Sequence, residues 1–206
     1  MICGRNATQG QATVTEIQSS GGRASFILAD IASATDVQAA IDETIATYGR
    51  LDILFNCASS PHPHDSTLTT VSEAAWDRIV EVTLKGTFFC CQYALPFLQN
   101  AGSGIIINFI EQSEEPQAQA VAGICHGGIL SMTQAIAHQF STHRVAANLI
   151  WCSSQPSPST PITSEKVIYA PLDPSDSPFA EVTDAILYLA TCEPQIYGYT
   201  LVVSEA

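Results

Sequence analysis

The residues of this chain best suited to proton chemistry are Glu111 and His126. A carboxylate and an imidazole can serve as general base and general acid near neutral pH, provided both reach one reacting group. Their settings are compatible with a shared site. Glu111 ends the run Gly104-Ile-Ile-Ile-Asn-Phe-Ile-Glu111, an apolar, β-branched stretch that follows a glycine turn. That pattern predicts a buried parallel strand. His126 lies in Ala122-Gly-Ile-Cys-His126-Gly-Gly-Ile-Leu-Ser-Met-Thr133, with Ile129, Met132, Thr133, Ile136 and Ala137 at helical spacing. That pattern predicts a long core helix. Open α/β sheets place their sites where a strand, a loop and a helix gather polar groups at a strand's carboxyl end.

Other polar residues make weaker candidates. His62, His64 and Asp65 stand in Ser60-Pro-His-Pro-His-Asp65 and could offer a metal ligand or a base. Proline and polar residues over so short a stretch read more simply as a solvated loop, and no metal site is expected. His138 and His143 fall late in a helical stretch, where a cation complements the dipole. Ser59 and Ser113 have no base positioned beside them, so neither reads as a nucleophile. Cys125 reads as a packed thiol.

Composition limits the rest. A chain of 206 residues, 46% of them hydrophobic, can bury one sizeable core, so a single domain over residues 1–206 is expected. Only 13% of residues are charged, and 20 acidic residues face 7 basic ones for a net charge of −13. Phosphate neutralisation needs a basic face, so nucleic acid is excluded as a partner and an anionic membrane surface is disfavoured. The apolar runs read as too short to span a membrane, and no leader is recognisable. Seven cysteines, an odd number with no C-x-x-C pair, point to free thiols and a reducing, cytoplasmic compartment. Cys57, Cys90, Cys91 and Cys125 lie inside apolar patterns and are expected to be buried.

Strand and helix signals alternate along the chain. Met1 to Gly4 reads as the tail of a strand and Ala24 to Ala29 as another. A helix through Val14 and Ile17 joins them and stops at Gly21-Gly22. Ser33 offers an N-cap, with Asp36 in the first turn. Val37, Ala40, Ile41, Ile45 and Tyr48 make the apolar face of that helix, which Gly49 ends. Leu51 to Phe55 is a strand, and Val71 to Gln99 reads as one long helix. Arg144 to Trp151 is a strand, the Ser/Pro-rich stretch 154–177 one loop, Phe179 to Thr191 a helix and Tyr199 to Val203 a last strand. Such alternation predicts a parallel α/β sheet with right-handed crossovers.

The motifs at the strand ends resemble those of the short-chain dehydrogenase/reductase family. The second, third and fourth strands of that family often end in Gly-Arg-Asn, in Asp followed by an aliphatic residue, and in Asn-Asn-Ala-Gly. This chain has Gly4-Arg5-Asn6, Asp30-Ile31 and Asn56-Cys57-Ala58-Ser59. Asn148-Leu-Ile, Thr160-Pro161 and the closing Leu201-Val-Val also match. The resemblance implies a Rossmann-like three-layer α/β/α sandwich with a mostly parallel sheet and a substrate lid over 152–177. It also implies NAD(P) contacts at Arg5, Asp30, Ile31, Asn56 and Ala58. Paired helices over 71–99 and 119–142 would join copies, or related subunits, into a homo- or hetero-oligomer.

The family's chemistry is substituted. Its catalytic serine falls on Glu111 (or on Ile110, with a slip of one residue), its tyrosine on Ala122 and its lysine on His126. Its active-site asparagine falls on Thr83, ahead of Leu84-Lys85-Gly86. Alanine cannot carry the tyrosine's proton. The family's first strand and its Thr-Gly-x-x-x-Gly-x-Gly turn have no counterpart in these residues, so cofactor binding is expected to be absent or weak. The sheet would then close up, accept a neighbouring chain in the gap, or pack its first segment differently. Three functions stay open: a non-catalytic subunit or binding protein, with or without a small-molecule ligand; a cofactor-independent acid/base enzyme using Glu111 and His126; or a residual NAD(P)-dependent oxidoreductase on a small carbonyl or alcohol.

Overall fold

The computed structural model describes residues 1–57, 67–112, 120–153, 167–172, 178–192 and 195–205. Ala58, Ser59, His62, His64, Asp65, Ser113 and Thr160-Pro161 lie outside them. The chain runs β1 (Ile2–Gly4), α1 (Ala7–Ser19), β2 (Phe26–Leu28), α2 (Ala34–Tyr48), β3 (Ile53–Asn56) and α3 (Glu73–Ile79). It continues with a π-helical segment (Val80–Gly86), α4 (Thr87–Ala101), β4 (Gly104–Gln112), α5 (Ala120–Phe140), β5 (Val145–Ser153), β6 (Val167–Leu172), α6 (Pro178–Thr191) and β7 (Thr200–Glu205).

Local chemistry sets the boundaries. The Asn6 side chain caps α1 by accepting the Gln9 N–H at 3.0 Å. Ser33 Oγ accepts the Asp36 N–H, and the Asp36 carboxylate accepts the Ser33 hydroxyl and the Asp30 N–H in return. This reciprocal cap fixes the turn from β2 into α2. The Asp30 N–H and then the Ser33 hydroxyl hold the Asp36 carboxyl below its ordinary pKa. Gly49, at φ 80°, ends α2 in the left-handed conformation.

Every strand pair among the described residues is parallel. The strands form two sheets, β1-β2 and β3-β4-β5-β7-β6. Of the three outcomes open for the gap, the sheet has not closed up: β1 and β3 do not pair. β4 and β5 form the centre, matched over nine residues from Gly104↔Val145 to Gln112↔Ser153. Alternation along them divides the core. Ile106, Val145 and Ala147 pack under α4 and α5 with Ala94, Leu98, Ile136 and Ala137. Ile105, Ile107 and Ile150 pack under α6 with Val182, Ala185 and Leu189. Helices therefore cover both faces of the central strands, the arrangement that near-continuous apolar strands require.

Three expectations are corrected. The single helix over 71–99 is α3, a π-helical segment and α4. The π turn holds an extra residue, and a broad apolar face gives no sign of that insertion. The single loop over 154–177 contains β6, which pairs with β7 from Val167↔Thr200 to Leu172↔Glu205. Val167-Ile168-Tyr169 is β-branched and aromatic, and pairing satisfies the open edge of β7. Finally, the helical run Ala120–His143 is long and apolar enough to cross a membrane. Here Val121, Cys125, His126, Ile129, Thr133, Ile136 and Ala137 are buried, and Val121, Cys125, Ile129, Ile136 and Ala137 belong to the protein's core clusters. That one-sided burial is the pattern of a helix laid on a sheet.

A buried polar relay ties β3, β4 and α5 together. Asn56 Nδ2 donates to Asn108 Oδ1 at 2.9 Å, and Asn108 Nδ2 donates to Thr133 Oγ1 at 2.8 Å. The Thr133 hydroxyl in turn donates to the Ile129 carbonyl at 2.7 Å. Asn108 is fully buried and Thr133 nearly so. Buried amides need such partners, so the relay fixes the depth at which α5 sits on β4.

Candidate functional site

Glu111, His126 and Thr83 line one small cavity with Cys57, Phe109, Ile110 and Ile129. Four elements meet there: the end of β3, the π-helical segment, the end of β4 and the second turn of α5. The π segment turns Thr83 inward, where it is 4% exposed. The hydroxyl of Thr87 donates to the Thr83 carbonyl at 2.7 Å, taking up a backbone acceptor of the widened turn. Close approach of this segment to its neighbours depends on two glycines. A Cβ on Gly86 would lie 2.8 Å from Ile31, and one on Gly128 would lie 2.9 Å from Leu84.

His126 is 8% exposed and meets the Trp151 ring edge-on, with centroids 6.0 Å apart. Ile110 packs into the core with Ile129, Leu149 and Trp151, whereas Glu111 is exposed. Of the two registers for the family's serine, Glu111 is therefore the polar one at the strand's end. Ala122 is half-buried near the start of α5 and is not among the residues lining the cavity. The cavity measures about 20 Å³. One water needs roughly 10–15 Å³ on this measure, so the space suits a single water rather than an organic substrate. The lining sets a carboxylate-bearing and an imidazole-bearing residue at one water-sized space. Among the described residues that line it there is no tyrosine or lysine.

Of the residues expected to hold a nucleotide, Asp30, Ile31 and Asn56 make contacts within the protein. Asp30 Oδ1 accepts the Ala32 N–H at 3.0 Å, and its other oxygen lies 3.7 Å from the Arg78 guanidinium. Ile31 packs against Gly86. Asn56 donates to Asn108 and approaches Cys91 Sγ at 3.5 Å. Arg5 is exposed. A pyrophosphate needs free backbone N–H groups at a helix N-terminus. The two N-termini on this side are capped from within, by Asn6 on α1 and by Ser33 on α2, and the Asp36 carboxylate opposes a second anion.

The thiols are free. Cys91 and Cys125 are buried as expected, Cys90 is half-buried, and Cys57 is exposed, correcting its expected burial. Cys57 closes β3 at the rim of the site, where the apolar run has already ended. Burial, together with the neighbouring thiols, pushes Cys90 and Cys91 each up to about 12. Sequence reasoning missed Asn108 and Trp151 as parts of the site's support. The signal for Asn108 was a lone amide in an apolar strand; Trp151 gave none.

A family model described as Enoyl-(Acyl carrier protein) reductase matches residues 1–203. The short-chain reductase protein NovJ of Streptomyces niveus is 32% identical over 73% of this chain and 57% of its own length. The 3-oxoacyl-[acyl-carrier-protein] reductase FabG of Staphylococcus aureus is 31% identical over 68% of this chain and 57% of its own. The chain thus spans less than two-thirds of these relatives. Among solved structures, a putative short-chain dehydrogenase/reductase from Burkholderia xenovorans superposes with a TM-score of 0.80 at 22% identity. It covers 98% of this chain and 81% of that one. A metagenomic short-chain oxidoreductase in complex with NADP gives 0.79, covering 99% of this chain and 84% of its own. The chain belongs to the short-chain dehydrogenase/reductase family, and its fold is the family's Rossmann-like α/β fold.

Proposed function

We propose that this protein is a member of the family that has lost NAD(P)-dependent oxidoreduction and acts as a non-catalytic subunit or binding protein. The reading is carried by Ala122 at the position that the resemblance gives to the family's tyrosine, and the cavity at Glu111 and His126 has room for one water. Hydride transfer to a carbonyl needs a proton for the developing alkoxide. Neither Glu111 nor His126 stands where the tyrosine would. The internally capped N-termini of α1 and α2 support absent or weak cofactor binding. Purified protein mixed with NADPH or NADH and a panel of ketones and acyl thioesters is expected to show no nucleotide oxidation above the protein-free blank. Turnover that persists after re-purification would overturn the reading.

A second reading is favoured by one observation: Glu111 and His126 share a cavity. It is a cofactor-independent acid/base reaction on a small molecule. Glu111→Gln and His126→Ala are then each expected to abolish turnover of any substrate found, with a loss of order 10²–10⁴. A loss under threefold in both variants would remove these residues from the chemistry.

Association through α3, α4 and α5 is part of the proposal. Trp76, Phe88 and Ile124 are 39%, 47% and 45% exposed on these helices. Apolar exposure of this kind is common at subunit contacts. Light scattering is expected to give a dimer or larger, and a monomer at micromolar concentration would contradict it. The free thiols support the cytoplasm as the compartment.

A further inference from the structure

We draw no further inference here: the strongest candidate, the Cys57 thiol at the rim of the cavity lined by Glu111 and His126, belongs to the site already described and is a lone cysteine there, with no second feature among the described residues that points to a ligand for it.

Discussion

Asn108→Ala is expected to lower the unfolding free energy by about 3–5 kcal/mol, seen as a reduced urea midpoint with an unchanged slope. The figure has two sources. Asn108 accepts from Asn56 and donates to Thr133, and all three residues are buried. Truncation leaves the Asn56 amide without its acceptor and the Thr133 oxygen without its donor, at about 1–3 kcal/mol each. The lost side chain also leaves a void between β4 and α5 that packed surroundings fill only in part. Asn108→Asp is the sharper control. It keeps the volume and the acceptor for Asn56 but loses the donor to Thr133, and it buries a carboxylate. It is expected to be at least as damaging at neutral pH and partly relieved in mild acid, where the carboxyl takes a proton. A loss under about 1 kcal/mol for Asn108→Ala would mean that the relay does not hold α5 in place.

The second large effect lies at the join of α4 and β4. Leu98 is fully buried, and Gly104 begins β4 directly against it. A Cβ on Gly104 would come within 2.5 Å of the Leu98 Cβ, 2.7 Å of its carbonyl oxygen and 2.9 Å of its carbonyl carbon. Leu98→Ala should cost about 2–5 kcal/mol through the cavity it opens. Gly104→Ala should cost about 1–3 kcal/mol or more through overpacking, because two of the three contacts are backbone atoms that cannot rotate away. The combination separates the two mechanisms. Alanine at 98 retains the Cβ, carbonyl carbon and oxygen that obstruct Gly104. The double variant should therefore show no rescue. A double variant more stable than Leu98→Ala alone would place the obstruction in the distal leucine methyls instead.

Much of this architecture could be read from the sequence because it rests on local chemistry. Asn6, Ser33 and Gly49 mark helix ends by side-chain capping or by a positive φ, and both signals are confined to a few residues. β4 and β5 announced themselves as apolar runs because helices cover both of their faces. Glu111 and His126 could be brought to one site because a strand's end and the early turns of the following helix meet in parallel sheets. What could not be read depends on contacts distant in sequence. Asn56, expected near a nucleotide, instead gives its amide to Asn108, 52 residues on. The π-helical segment packs with Gly86 close against Ile31 and Leu84 close against Gly128, contacts between residues far apart in sequence. β6 is set by the open edge of β7, and proline and serine around it masked its strand character. Exposure of Cys57 follows from where β3 stops, which a hydrophobic pattern locates only to within a few residues.

The chain has the family's Rossmann-like α/β fold, and the proposed loss of hydride transfer rests on Ala122 and His126 standing at the positions that the resemblance gives to the family's tyrosine and lysine. Glu111 and His126 remain beside a space for one water. Asp36 stands where an anion would have to dock on α2.

The most direct measurement is calorimetric titration of the purified chain with NADPH and NADH. The account predicts no saturable heat up to millimolar nucleotide, in wild type and in Asp36→Asn alike. Saturable micromolar binding to the wild-type chain would contradict it, because a phosphate site would then exist that neither the capped helix ends nor the strand ends provide.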